Sequence, residues 1–259
     1  MQLLNRIQTG RSCAPPRLMI YGTEGIGKST FASQTPDPIF IQTEDGLGQI
    51  DCHRFPLANS LDDVATALSE LRLHPHDYKT LVIDTLDWLE LLIWDSLCRQ
   101  YGVSSIEKVD GGYGKGYVHA TACWRHIIDQ LSALRNERKM MILLLAHSKI
   151  ERFEDPEAAA YDRYSPRLHR NAVALVTEWC DAVLFATWKM VVRSEPGSFQ
   201  RTHGKAVLVG KDGDERILRC IGGPSCIAKN RYGLPNELPL RWSELANCLF
   251  ENQVPEPEL

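Results

Sequence analysis

The chain has 259 residues, 44% of them apolar and 24% charged, with a formal charge of −4 at neutral pH. This balance excludes a disordered or collagen-like chain and provides for one large core or two small ones. Apolar runs such as Met140–Ala146 are too short to cross a bilayer, and no charged-then-apolar leader opens the sequence, so a soluble, cytoplasmic protein without a membrane partner is expected. With 29 basic against 33 acidic residues, the whole molecule lacks the positive field of many nucleic-acid binders. Any contact with DNA has to be local. Eight scattered cysteines without a C-x-x-C pair read as inert thiols and not as zinc ligands or disulfides.

After a polar entry over 1–16, the run Arg17–Tyr21 ends at a glycine and is followed by a helix from Lys28. Pro38–Thr43 and Thr80–Asp84 read as further strands, with a helix over Leu61–Leu73 between them. Helical patterns over Thr85–Tyr101 and Val118–Lys139 flank the glycine-rich segment Asp110–Gly116, and Met140–Ala146 is the fourth strand. A helix over Leu168–Glu178 then leads into a strand at Ala182–Trp188. Near-continuous apolar strands alternating with helices predict an α/β fold, a mostly parallel sheet covered on both faces. Beyond it, Lys205–Gly210 and Glu215–Cys220 flank Lys-Asp-Gly-Asp and read as a hairpin, so a C-terminal antiparallel extension is expected. The core is placed at 17–242, with a tail over 243–259 that is acidic and proline-rich at its end.

The chemistry concentrates first in Gly22-Thr23-Glu24-Gly25-Ile26-Gly27-Lys28-Ser29, a full G-x-x-x-x-G-K-[ST] motif between a strand and a helix start. Glycines let backbone N–H groups curl around a phosphate, and the helix start adds unpaired donors. These eight residues and Thr30 form the expected ATP cradle, with Lys28 bridging the β- and γ-phosphates. Ser29 is expected to ligate Mg²⁺, with Asp84 holding the same ion through water. Asp84 also suits an N-cap for the helix from Thr85, and the two roles are compatible. Hydrolysis needs a group that orients water. Glu44 is the candidate because it closes the strand expected beside the phosphate loop, with Asp45 a weaker one.

In order along the chain, GTEGIGKST, IFIQTEDGL, TLVIDTLDWLE, ILLLAHSKI and AKNRYGLP resemble the RecA-like P-loop NTPase core, and more closely the compact, core-only phage recombinases linked to single-strand annealing. The resemblance spans roughly Arg17–Trp242. It implies that Glu44 is the catalytic glutamate and that His147, where RecA itself has glutamine, senses the γ-phosphate. It further implies that Lys229 and Arg231 reach a neighbouring subunit's nucleotide, which would stabilise charge on the transferring phosphate. The partners it implies are single-stranded DNA, further copies of the chain in a filament or ring, and a single-strand-binding protein.

Two segments match the family's DNA-binding loops. The first, Val103–Tyr117, carries Lys108, Tyr113, Lys115 and Tyr117, and the second, Lys149–Arg170, carries Lys149, Arg152, Phe153, Arg163, Tyr164 and Arg167. Aromatic faces stack on bases while cations follow phosphates. Five acids balance five basic residues in the second segment, which argues against a strongly positive groove. The sequence thus reads as an Mg²⁺-dependent ATPase that binds single-stranded DNA in recombination. Its rivals are a ring-forming helicase or packaging motor, a small-molecule phosphotransferase, and a nucleotide-gated interaction protein without DNA binding.

Overall fold

Alternation within each buried strand sets the architecture. In β1 (Arg17–Gly22), Leu18 and Ile20 face one side while Met19 and Tyr21 face the other, all fully buried, so both faces of the sheet need a cover. The computed structural model describes residues 7, 9, 14–156, 159–193, 205–209 and 215–251. β1 pairs in parallel with β5 (Met141–Phe153) on one side and β7 (Ala182–Trp188) on the other. β5 pairs with β4 (Thr80–Asp84), β4 with β2 (Pro38–Gln42), and β2 with the short β3 (His53–Arg54), again all in parallel. Beyond β7 the sheet turns antiparallel through β10 (Arg216–Arg219) and β12 (Glu237–Pro239), and β11 (Lys229–Asn230) pairs with the start of β7. This is the mostly parallel α/β sheet, with antiparallel C-terminal strands, that the sequence pattern predicts.

One face packs on α2 (Leu61–Leu73), α3 (Leu86–Tyr101), α4 (Lys115–Glu137) and α5 (Arg170–Trp179). Their buried positions recur at helical spacing, as in Val64, Ala67, Leu68 and Leu71 of α2. That helix starts at a reciprocal cap, in which Ser60 Oγ accepts from Asp63 N–H and the Asp63 carboxylate accepts from Ser60 N–H. The opposite face is covered by α1 (Lys28–Ser33) and α6 (Trp242–Glu251), which insert Phe31, Trp242, Leu245 and Leu249. The core therefore runs past residue 242, and 243–251 is a packed helix and not a tail; 252–259 lie outside the described residues. Among the described residues no helix is long and apolar enough to cross a membrane.

Three further expectations change. The order β1-β5-β4-β2 puts two strands between the phosphate loop and the strand preceding Glu44, so that strand is not beside the loop. Among the described residues the expected 205–210 and 215–220 strands do not pair as a ladder, and the bond from Glu215 N–H to the Val209 carbonyl (3.1 Å) is what joins them. β9 (Lys205–Leu208) pairs with β8 (Met190–Arg193), whereas β10 joins β7, where Ile217 and Leu218 become buried; the turn at 211–214 lies outside the described residues. Finally, Lys149–Arg170 is not a long loop. β5 continues past the sheet and folds back through β6 (Tyr161–Pro166) as an antiparallel hairpin. Four of its charges become two cross-strand pairs, Glu151 with Arg163 (3.0 Å) and Arg152 with Asp162 (3.8 Å). The root of the hairpin is tied to the core, because the Tyr21 hydroxyl sits between the carbonyl oxygens of Ile227 (2.7 Å) and Tyr164 (3.1 Å).

Candidate functional site

The C-terminal ends of β1 and β4 flank the middle of β5, which brings the phosphate loop, His147 and Asp84 to one place. Gly22 ends β1 so close to β7 that a Cβ there would stand 2.3 Å from the Ala186 carbonyl oxygen, which no side chain tolerates. Gly27, at φ +103°, sits in backbone space that favours glycine, and the Arg216 guanidinium lies over it, donating to the Ile26 carbonyl (3.3 Å). Lys28 is buried, and its ammonium bonds the carbonyls of Gly22 (3.1 Å) and Thr23 (3.0 Å). Burial pushes its pKa down, while Asp84, Glu44, Asp87 and Glu24 pull the other way.

Ser29 Oγ donates to Asp84 Oδ2 at 2.6 Å, and the other oxygen, Oδ1, is buried without a hydrogen-bond partner. A hydroxyl beside a carboxylate with a spare buried oxygen is the hard donor set that Mg²⁺ accepts alongside water and phosphate oxygens, so these residues fit that ion. Asp84 is not the cap of α3; the N-cap is Thr85, and it makes no side-chain cap bond. Instead Thr85 locks to Thr43, which accepts from Thr85 N–H (2.8 Å) and donates to its carbonyl (2.7 Å), while Thr43 N–H bonds the Asp84 carbonyl. That clasp directs Glu44 back toward the centre despite its distant strand. Its carboxylate reaches to 3.9 Å from His147 Nε2. Burial pushes the Glu44 pKa up against the pull of His147, which suits a group that takes a proton.

His147 is fixed by Asp87, in the first turn of α3. The carboxylate accepts from the His147 backbone N–H and from the ring Nδ1, both at 3.0 Å. Arg167, directly after β6, bonds the same carboxylate through Nη2 (2.8 Å) and Nε (3.3 Å), and through Nη1 it bonds Glu24 of the phosphate loop (3.1 Å). Burial alone would raise the Asp87 pKa, but these donors outweigh it and hold the carboxyl well below the usual range.

A buried cation in a glycine turn, a hydroxyl–carboxylate pair and a carboxylate facing a histidine together form a donor set that fits the phosphates of a nucleotide. A family profile described as an AAA domain matches residues 14–232. The chain belongs to the AAA-domain family. It is also 23% identical over 172 residues, 65% of its length, to the SPbeta prophage-derived uncharacterized protein YorG of Bacillus subtilis (strain 168), of which it spans 49%. This AAA domain is thus a P-loop ATPase domain, and Gly22–Ser29 carries the full G-x-x-x-x-G-K-[ST] motif between β1 and α1.

The remaining expected residues of the AAA domain are more dispersed. Lys229 and Arg231 stand at the opposite end of the sheet from the phosphate loop of their own chain. Lys229 pairs with Val183 at the start of β7 and donates to the carbonyls of Thr177 and Glu178, which end α5. Arg231 contacts Asp181 (3.4 Å). In the first expected DNA segment a 3-10 helix over Ile106–Gly111 buries Ile106 and Val109. There Lys108 bonds Ser104, Lys115 pairs with Asp110, and Tyr113 points fully into solvent. Tyr117 is stacked flat on His169, with centroids 4.1 Å apart. In the hairpin, Lys149 bonds the Leu168 carbonyl, the Arg163 guanidinium covers Phe153, and Tyr164 stacks on Phe185. Arg152 is exposed.

Sequence reasoning missed Asp87 and assigned Arg167 to DNA, whereas the fold puts both at the phosphate site. Asp87 had a signal: it lies three residues beyond Asp84, inside the first turn of α3. Arg167 had none, because only the β6 return strand brings it to His147, whose carbonyl accepts from its backbone N–H (2.8 Å).

Proposed function

We propose that this domain is an Mg²⁺-dependent ATPase of the RecA-like recombinase type, which assembles on single-stranded DNA and promotes its annealing or exchange. One observation carries the reading: β5 runs without a break from the core, past His147, into the hairpin that ends at Phe153. A change at the terminal phosphate therefore has a continuous backbone route to a projecting element with aromatic and cationic side chains. A prophage-derived relative accords with work on a phage genome.

In hydrolysis, water forms a bond to the γ-phosphorus as the bond to the β–γ bridging oxygen breaks. Glu44 receives the water proton, and Lys28 and the loop N–H groups hold the phosphates. Ser29 and, through water, Asp84 would hold Mg²⁺, which would supply positive charge to the same phosphates. Lys229 and Arg231 would meet only a neighbouring copy's nucleotide, which makes turnover depend on assembly.

The test is ATP turnover with and without single-stranded DNA, on the native chain and on Lys28→Ala, Glu44→Gln and Lys229→Ala. Stimulation by DNA, loss in all three variants, and a nucleotide-dependent DNA band shift support the reading. ATP-driven unwinding would point to a motor. The absence of any DNA effect, with turnover intact, would sink the recombinase assignment.

A further inference from the structure

Arg167 joins two carboxylates of unlike standing. Asp87 is buried and also held by the backbone and ring of His147, whereas Glu24 is 65% exposed on the phosphate loop. The guanidinium is a rigid fork, and its two edges are used separately: Nε and Nη2 grip Asp87, and Nη1 grips Glu24. The first grip is shielded; the second is a solvent-screened pair, easily exchanged. Lys28 and Arg167 are the cations that share this cluster with Glu24, Glu44, Asp84 and Asp87. A triphosphate entering the loop brings further negative charge beside Glu24, repelling that carboxylate and attracting the guanidinium.

We propose that Arg167 is a catalytic residue acting within its own chain, exchanging Glu24 for the terminal phosphate of a bound nucleoside triphosphate while Asp87 retains the other edge of the fork. Glu24 is then a competitor that occupies the arginine until nucleotide arrives. A diphosphate lacks the group that Nη1 would take, so Arg167 separates the two nucleotides. The bond from the Arg167 backbone N–H to the His147 carbonyl ties the base of the side chain beside the site. The inference rests on the phosphate loop taking a triphosphate and is independent of DNA binding.

The experiment titrates the whole chain, with Mg²⁺, with a fluorescent ADP and a fluorescent non-hydrolysable ATP analogue. Arg167→Ala should weaken the ATP analogue about tenfold or more and leave ADP within about twofold. Arg167→Lys should fall between, and Glu24→Gln should tighten the ATP analogue and not ADP. Lys28→Ala should weaken both. Equal effects of Arg167→Ala on the two nucleotides, or none on either, overturn the proposal. If thermal melting shows that Arg167→Ala is unfolded, Glu24→Gln decides: tighter triphosphate binding supports the exchange, and unchanged or weaker binding refutes it. A native chain that binds neither nucleotide would bring down the phosphate-loop reading and this one with it. Failure of DNA stimulation alone would leave the arginine's role standing.

Discussion

Replacing Asp87 by asparagine removes the carboxylate that fixes His147 and Arg167 while keeping nearly the same shape. The wild-type group is 7% exposed and accepts from the His147 N–H, the His147 ring and two nitrogens of Arg167. Breaking a buried ion pair from one side costs about 3–5 kcal/mol. Arg167 is about half exposed and can rehydrate, and asparagine still offers one acceptor, so about 2–3 kcal/mol is expected here. In a domain of this size that lowers Tm by about 5–10 °C, measured by calorimetry at pH 7. The pH dependence has a definite sign. The folded carboxyl titrates well below its unfolded value of about 3.9, so its stabilisation is complete above about pH 5 and fades as pH falls through 3.9 and lower. The gap between native and Asp87→Asn proteins should therefore hold steady from pH 8 to 6 and close in acid. A gap under about 0.5 kcal/mol at pH 7, or one that persists unchanged in acid, would refute the view of Asp87 as the ionised hub of the site.

Three other outcomes are expected. Glu44→Gln should cut ATP turnover about 100-fold or more while nucleotide affinity stays near native; an equal loss of both would remove Glu44 from the proton transfer. Gly22→Ala places a Cβ 2.3 Å from a backbone oxygen and forces β1 and β7 apart, with a loss of about 1–3 kcal/mol readable in urea unfolding. Glu90, buried though bonded by the His169 N–H, has its pKa pushed up to about 7. Since the folded state keeps a proton that the unfolded chain releases, stability should fall as pH rises from about 4.3 toward 7 and level off above. Glu90→Gln should remove that slope in a series of melting temperatures, and a native slope that survives the substitution would clear Glu90.

What could be read from the sequence was local. The five central strands are short apolar runs, and the phosphate loop announces itself by its glycines and Lys28-Ser29, so the fold class and the cradle follow directly. Strand order is not local. Nothing in the run ILLLAH states that it inserts between β1 and β4, yet that insertion puts His147 beside the site and moves the strand of Glu44 away. The hairpin was hidden for the same reason, since Glu151 and Arg163, twelve positions apart, look like scattered charges until β5 and β6 come into register. Trp242, Leu245 and Leu249 do carry a helical spacing, but the proline-rich end of the chain drew the whole segment toward the reading of a tail.

Tyr21 gives the molecule a property that no single element has. It immediately precedes the first glycine of the phosphate loop, and its one hydroxyl touches both the hairpin root and the carbonyl two residues before Lys229. Three parts of the protein are thus stapled at one point: the strand that ends at the phosphate loop, the root of the hairpin, and the segment that leads into Lys229 and Arg231. Under the proposed assembly, a neighbouring copy that received those two side chains would be coupled, through this one hydroxyl, to the nucleotide of the first.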